Sequence, residues 1–489
     1  MGEALSKEYV NVMAAGTAYS PDPKFAGLGP EFADAVTPAR FPQATLRWRN
    51  DRWAARVGLD GLDAGDFEAH FARFEPLQGN MRAPLAIRYH GCQFRVYNPD
   101  LGDGRGFLFA QLRDDAGRLL DLATKGSGQT PYSRNGDGRL TLKGAVREIL
   151  AAEMLEAQGV YTSKAFAVFE TGEDLKRSDE PSPTRSAVLT RLGHSHVRIG
   201  VFQRHAYHER PDLLRTLVDH CAEVYYPDLL GVEGDARVAG LLAHVTTANA
   251  RLAASWMSAG FVHGVLNTDN MNVTGESFDY GPWRFLPVSD PKFTAAYFDE
   301  QGLYCFGRQP QAAGWNCAQL AGALSSICDE ALLTEALQRF APAYQNALRD
   351  RMFARLGLAA GDIDADLAFL GELFRWMTDA GVSWPQFFHD WFCGPASETR
   401  AMQSSERSRY ADADFAATKT ALLTRAPVRP ERLGHAVFQA PAPPTLLIED
   451  VEALWAPIAA SDDWSLFHAK IAAIAALREA LDLPQTFAP

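Results

Sequence analysis

His263-Gly264-Val265-Leu266-Asn267-Thr268-Asp269-Asn270-Met271 opens the stretch that decides the fold, and eight residues later it reaches Asp279-Tyr280-Gly281. Asp269 and Asn270 set a carboxylate beside an amide, and Asp279 adds a second carboxylate nine positions after the amide. Such hard oxygen donors suit Mg²⁺ or Mn²⁺, with phosphate oxygens completing the shell. Asp269 is the only acid between His263 and Asn270, which makes it the candidate base of this loop. His263 is read as structural, packing and hydrogen-bonding the loop.

The order of these residues resembles the protein-kinase signature H-R-D-L-x-x-x-N followed by D-F-G. His263 supplies the first position, Asn270 the metal-binding Asn seven residues on, and Asp279-Tyr280-Gly281 the D-F-G. A kinase places its catalytic Asp two residues after the His. Here that position is Val265, which cannot accept a proton. The chain therefore keeps the parts that hold a metal-nucleotide and lacks the usual base for phosphorylating a hydroxyl.

Upstream, residues 94–97 alternate as a strand, and residues 101–106 form a glycine loop with Gly102 and Gly104. Residues 106–112 and 119–125 read as two further strands, the last ending in Lys125. Residues 144–158 carry apolar side chains at helical spacing, with Glu148 in the early turns and Gly159 as the cap. A strand Lys paired with a helix Glu fixes the Lys against nucleotide phosphates in kinases. Glycines let backbone N–H groups approach phosphate oxygens closely, and Arg105 adds a cation at the loop tip. A second polar glycine-bearing loop runs from residue 131 to 139. Arg191 and Arg198 flank the next strand end, where two guanidinium groups can grip phosphate or simply be solvated.

The polar run 171–185 with its two prolines reads as an exposed hairpin tip or loop between strands 165–170 and 186–192. Beyond residue 200 the pattern is helical: a long helix ending at Gly260, then 313–328, 331–356, 362–380 and 465–481. The resulting expectation is an α+β, protein-kinase-like two-lobed fold. Residues 1–84 form an N-terminal extension packed on the core, 85–200 a mainly β N-lobe, 201–400 a helical C-lobe with the catalytic loop, and 401–489 a C-terminal extension.

Composition restricts the function classes. A chain of 489 residues is too long for one core. With 47% apolar and 22% charged residues and a net charge of -13, it is an ordinary globular chain with no polybasic surface for nucleic acid or membrane. No apolar run reaches the roughly 18 residues a membrane helix needs, and the first 20 residues lack a signal-peptide core, so a cytoplasmic location is expected. Met1-Gly2 with Ser6 fits the loose myristoylation pattern, a match that often arises by chance. The six cysteines form no C-x-x-C pair and read as buried thiols.

Several longer runs carry a closer resemblance: Tyr89-x-Gly91-x-Gln93-Phe94, Leu101-Gly102-Asp103-Gly104-Arg105, and Lys125-Gly126-x-Gly128-x-Thr130-Pro131-Tyr132-Ser133-Arg134-x-Gly136-Asp137-Gly138-Arg139. They continue with Arg147-Glu148, Ser195-His196-x-Arg198-x-Gly200, the run from Phe261 to Met271, and Asp279-Tyr280-Gly281-Pro282. Together they resemble the selenoprotein O family of atypical kinases, or pseudokinases, over residues 85–330, with poorer matching in the first 84 and last 90 or so residues. The resemblance implies a kinase-like fold that binds ATP in a flipped orientation and transfers AMP to Ser, Thr or Tyr hydroxyls of proteins. It implies that Lys125, Arg191 and Arg198 hold the deep phosphates. Asp269 would act as base, and Asn270 and Asp279 would bind Mg²⁺ or Mn²⁺. Gly102, Gly104, Arg105, Asp137 and Gly138 would contact ATP. Many members carry a redox-active Cys or selenocysteine near the C-terminus, whereas Cys393 is the last Cys here, so that form of redox gating is not expected. An ordinary phosphotransferase using Asp269 and a non-catalytic nucleotide-binding scaffold remain as alternatives.

Overall fold

The computed structural model describes residues 17–178 and 180–484. The myristoylation pattern at Met1-Gly2 lies outside them. Twelve strands form, in order β1 (Ala33–Ala35), β2 (Thr45–Arg49), β3 (Leu85–Ile87), β4 (Gly91–Gln93), β5 (Val96–Asn98), β6 (Leu108–Arg113), β7 (Leu119–Lys125), β8 (Leu140–Thr141), β9 (Lys164–Leu175), β10 (Thr184–Gly193), β11 (Phe261–Val262) and β12 (Arg284–Phe285). Eight of them build one antiparallel sheet in the order β1-β3-β6-β7-β10-β9-β2, with β8 also paired to β10. The molecule is thus mixed α and β, with an antiparallel sheet followed by a helical region.

Burial on both faces explains why β6 and β7 read as apolar runs. One face packs on the aromatic cluster of α1 (Asp51–Arg56) and α2 (Ala64–Phe71), where Trp53, Phe67 and Phe71 meet Phe109, Leu120 and Leu122. The alternate residues, Leu108 and Leu189 among them, face α3 (Leu142–Ala157) through Val146, Ile149 and Leu150. The Thr141 hydroxyl caps α3 by accepting from the Gly144 N–H at 3.1 Å. In the β7–β10 register Lys125 lies opposite Leu189, and Ala123 opposite Arg191. Lys125 and Arg191 are therefore diagonal neighbours on the face toward α3, within reach of Glu148.

The helical region is α4 (Ile199–Tyr207), α5 (Pro211–Val224), α6 (Gly234–Ala259), α7 (Gln309–Leu324), α8 (Glu330–Gln338), α9 (Phe340–Leu356) and α10 (Ile363–Ala380), with shorter helices and a last described helix, Ser465–Leu481. At the end of α6 the chain enters β11, which pairs with β12. That short ladder brackets residues 263–283 at both ends and so fixes the quoted segment.

Three expectations need correction. Residues 94–97 are strand only in their second half: Phe94 and Arg95, with φ of 48° and 65°, turn the β4–β5 hairpin, and Val96 and Tyr97 open β5. Helix 331–356 is two helices, α8 and α9, separated at Arg339. The run 171–185 is strand at both ends, because β9 extends to Leu175 and β10 begins at Thr184, which leaves 176–183 as the hairpin tip. All six cysteines are buried and free. No helix among the described residues is long and apolar enough to cross a membrane.

Candidate active site

The sheet, the loops at residues 101–106 and 132–139, and the 263–283 segment line a cavity of about 760 Å³. At its deep end Lys125 donates to Glu148 and, at 2.7 Å, to Oδ1 of Asp279. Both Lys125 and Glu148 are buried. Arg191 donates to the same Asp279 oxygen at 3.3 Å and lies 3.9 Å from Glu148. Burial alone would raise the Asp279 pKa, but Lys125, Arg191 and Arg198 outweigh it and hold the carboxyl well below the usual range. Asp279 adopts φ 63°, a left-handed backbone, which turns its side chain back toward these cations. His263 supports that turn: its Nε2–H donates to the Phe278 carbonyl at 2.9 Å, and burial keeps the ring neutral.

Arg198 is the third buried cation of the site, after Lys125 and Arg191. It donates to Tyr89 Oη and to the Asp269 carbonyl, both at 3.1 Å, and to Asp103 at 3.3 Å. Its guanidinium also lies 4.5 Å over the Tyr89 ring. Asn270 Nδ2 donates to Oδ2 of Asp279 at 3.2 Å, so amide and carboxylate share one edge of the cavity. Asp269 stands next to them on the cavity wall with Val265. Its Oδ1 is buried and makes no hydrogen bond to protein. Burial lifts its pKa to about 6 against the pull of Arg198, a value suited to a base that works near neutrality.

Two loops form the rim. A Cβ on Gly102 would sit 2.3 Å from the Tyr132 ring, so only glycine lets the 131–139 loop close on the first loop. Ser133 Oγ donates to the Gly104 carbonyl at 2.6 Å and Thr130 Oγ1 to that of Asp103, which ties the loops together. Gly138 has φ 68° and would meet the Gly128 backbone at 2.2 Å if it carried a Cβ. Arg105 and Asp137 line the mouth, and Asp137 is held by Arg177 at 2.7 Å.

Every residue that the sequence proposes for nucleotide, metal or base lines this cavity except Glu148, which stands behind Lys125. Sequence reading missed Tyr89, Asp103, Tyr132 and Arg177. Tyr89, Asp103 and Tyr132 lie inside the quoted runs, where the sequence alone gives them no role. Arg177 had no signal, because its place on the rim depends on the β9–β10 hairpin folding back over residue 137.

A metal would find oxygen donors from Asn270 and Asp279 on one edge, with the unpartnered Asp269 Oδ1 on the neighbouring residue. This set fits a hard divalent cation whose remaining ligands are phosphate oxygens and water. Among the described residues no cluster of three or more His, Cys, Asp or Glu is arranged to hold a metal unaided.

The family model described as protein adenylyltransferase SelO matches residues 17–475. The chain belongs to the SelO family. It is 43% identical over 462 residues to the protein nucleotidyltransferase YdiU of Synechocystis sp. (strain ATCC 27184 / PCC 6803 / Kazusa), covering 91% of this chain and 96% of that protein. To the YdiU of Synechococcus elongatus (strain ATCC 33912 / PCC 7942 / FACHB-805) it is 42% identical over 474 residues, covering 92% and 93%. To that of Pseudomonas putida (strain W619) it is 39% identical over 369 residues, covering 75% and 74%. The SelO match therefore extends well beyond residues 85–330, into both ends that the motifs alone leave unmatched.

Proposed function

We propose that the chain transfers AMP from ATP to Ser, Thr or Tyr hydroxyls of proteins on a kinase-like two-lobed scaffold. Residues 85–200 act as N-lobe and 201–400 as C-lobe, with 1–84 and 401–489 as extensions of that core. The observation that carries the reading is Val265 at the kinase-base position beside Asp269, which lines the cavity and whose buried Oδ1 has no protein hydrogen-bond partner. Family membership supports the same chemistry.

Lys125, Arg191 and Arg198 bind the β- and γ-phosphates at the deep end, where burial strengthens each charge-assisted hydrogen bond. The α-phosphate then lies toward Asp269. The acceptor hydroxyl oxygen attacks the α-phosphorus, its proton passes to Asp269, and the bond to the β-phosphate oxygen breaks to release pyrophosphate. Asn270 and Asp279 are the residues that would hold Mg²⁺ or Mn²⁺, which would neutralise phosphate charge. Arg105, Gly102, Gly104, Asp137 and Gly138 contact the nucleotide at the rim.

Reaction with α-labelled and with γ-labelled ATP separates the possibilities. Label entering protein only from the α position is expected. Entry only from γ would mean phosphotransfer, and entry from neither a nucleotide-binding scaffold.

A further inference from the structure

Eleven large apolar side chains are exposed among the described residues, and five of them, Val96, Tyr97, Tyr207, Tyr297 and Phe298, gather around the β4–β5 hairpin. Tyr97 stacks on Tyr207 with centroids 5.6 Å apart. On the other side of the hairpin turn Phe94 meets Phe298 at 5.8 Å, and Phe298 meets Tyr297 at 5.2 Å. Tyr297 is 86% exposed and Val96 70%. Exposed apolar side chains gathered at one hairpin in this way mark a place where another molecule binds.

The same hairpin is seated on the catalytic loop. The Cys92 N–H donates to Thr268 Oγ1 at 2.7 Å, and the Phe94 N–H to Asn267 Oδ1 at 3.0 Å. Tyr304, packed on Phe94 at 5.0 Å, donates to the same Asn267 oxygen at 2.9 Å. At the base of the hairpin a Cβ on Gly91 would lie 3.0 Å from Asp269 Oδ1. The surface is therefore continuous with the wall of the cavity at the proposed base.

We infer that this surface docks the protein acceptor, gripping an extended segment in which the target hydroxyl is flanked two to four residues away by a large apolar or aromatic side chain. The inference rests on the AMP-transfer reading and names its substrate class. An extended chain advances about 3.3 Å per residue, so such neighbours lie about 7–13 Å from a hydroxyl placed at Asp269, and the hairpin bonded to residues 267 and 268 offers Val96, Phe298 and Tyr297 to receive them. A protein acceptor, unlike water or a small alcohol, requires a binding surface outside the nucleotide cavity, and aromatic side chains supply contact area at low entropy cost.

The test uses the full chain, α-labelled ATP, and two synthetic peptides with a central Ser, Thr and Tyr: one with Phe and Leu two to four residues away, one with Gln there. The wild type is expected to favour the apolar peptide by about tenfold or more in kcat/KM. Tyr297→Ser/Phe298→Ser, and separately Val96→Ser, should remove most of that preference through KM, while ATP affinity stays at the wild-type value and reports an intact fold. Equal use of both peptides by the wild type, or a preference that survives in both variants, overturns the docking surface alone. Absence of α-label from both peptides overturns it together with the reading on which it rests. A dimer that dissociates in the variants, seen by sedimentation, would assign the surface to a second copy instead.

Discussion

Lys125 and Glu148 are both almost sealed from solvent, with side-chain exposures of 6% and 3%. Removing one member of such a pair leaves the other as an uncompensated buried charge, a loss of about 3–5 kcal/mol. Two neighbours moderate that figure. After Lys125→Met, Glu148 retains Arg191 at 3.9 Å, a contact too long for a hydrogen bond. After Glu148→Gln, Lys125 keeps Asp279 at 2.7 Å, so this variant falls at the low end. We expect about 3–4 kcal/mol for Lys125→Met and about 2–3 kcal/mol for Glu148→Gln. The double variant leaves no buried charge of the pair, so its loss should be smaller than the sum of the singles by at least about 2 kcal/mol. Urea unfolding followed by tryptophan fluorescence measures all four proteins. Activity should be lost in every variant containing Lys125→Met, because the phosphates lose their cation. Additive stability losses within about 0.5 kcal/mol would refute the coupling and reduce the pair to two independent charges.

Asp269→Ala should lower AMP transfer by about 10²–10⁴-fold with ATP affinity kept, and near wild-type turnover by Asp269→Asn would reject the base role. Asp279→Ala should abolish turnover and make nucleotide affinity insensitive to added Mg²⁺; undiminished wild-type activity in EDTA would contradict the metal assignment. Glu276 supplies the pH dependence. Burial raises its carboxyl to about 7 despite Lys164, so the folded state holds the proton more tightly than the unfolded chain. Its contribution to stability is present below about pH 4.3 and is lost as pH rises to about 7. Glu276→Gln keeps an acceptor for the His194 N–H now bound at 2.7 Å. It should raise Tm relative to wild type at pH 8 and not at pH 4, whereas an equal difference at both pH values would refute the assignment.

The cleft was legible because its chemistry sits on strongly periodic elements. Lys125 ends a fully buried strand and Glu148 lies on a helix buried on nearly every side, so chain order alone nearly placed the pair. The hairpin at residues 91–98 is hidden because the alternation at 94–97 runs straight through its turn and into β5. What decides there is the left-handed backbone of Phe94 and Arg95, which no glycine or asparagine announces. The joining of β1 and β2 to opposite ends of the sheet was also invisible, since it rests on pairing with Ile87 and Phe169, far away in sequence. For the same reason Arg177 at the rim and Tyr89 under Arg198 emerge only once distant segments meet.

The most direct test of AMP transfer is the identity of the leaving group, followed by ³¹P NMR while a protein acceptor is modified. The expected result is pyrophosphate appearing in step with a phosphodiester signal on the protein, both absent with Asp269→Ala. Accumulation of ADP with a protein phosphomonoester would contradict it and assign Asp269 to ordinary phosphotransfer.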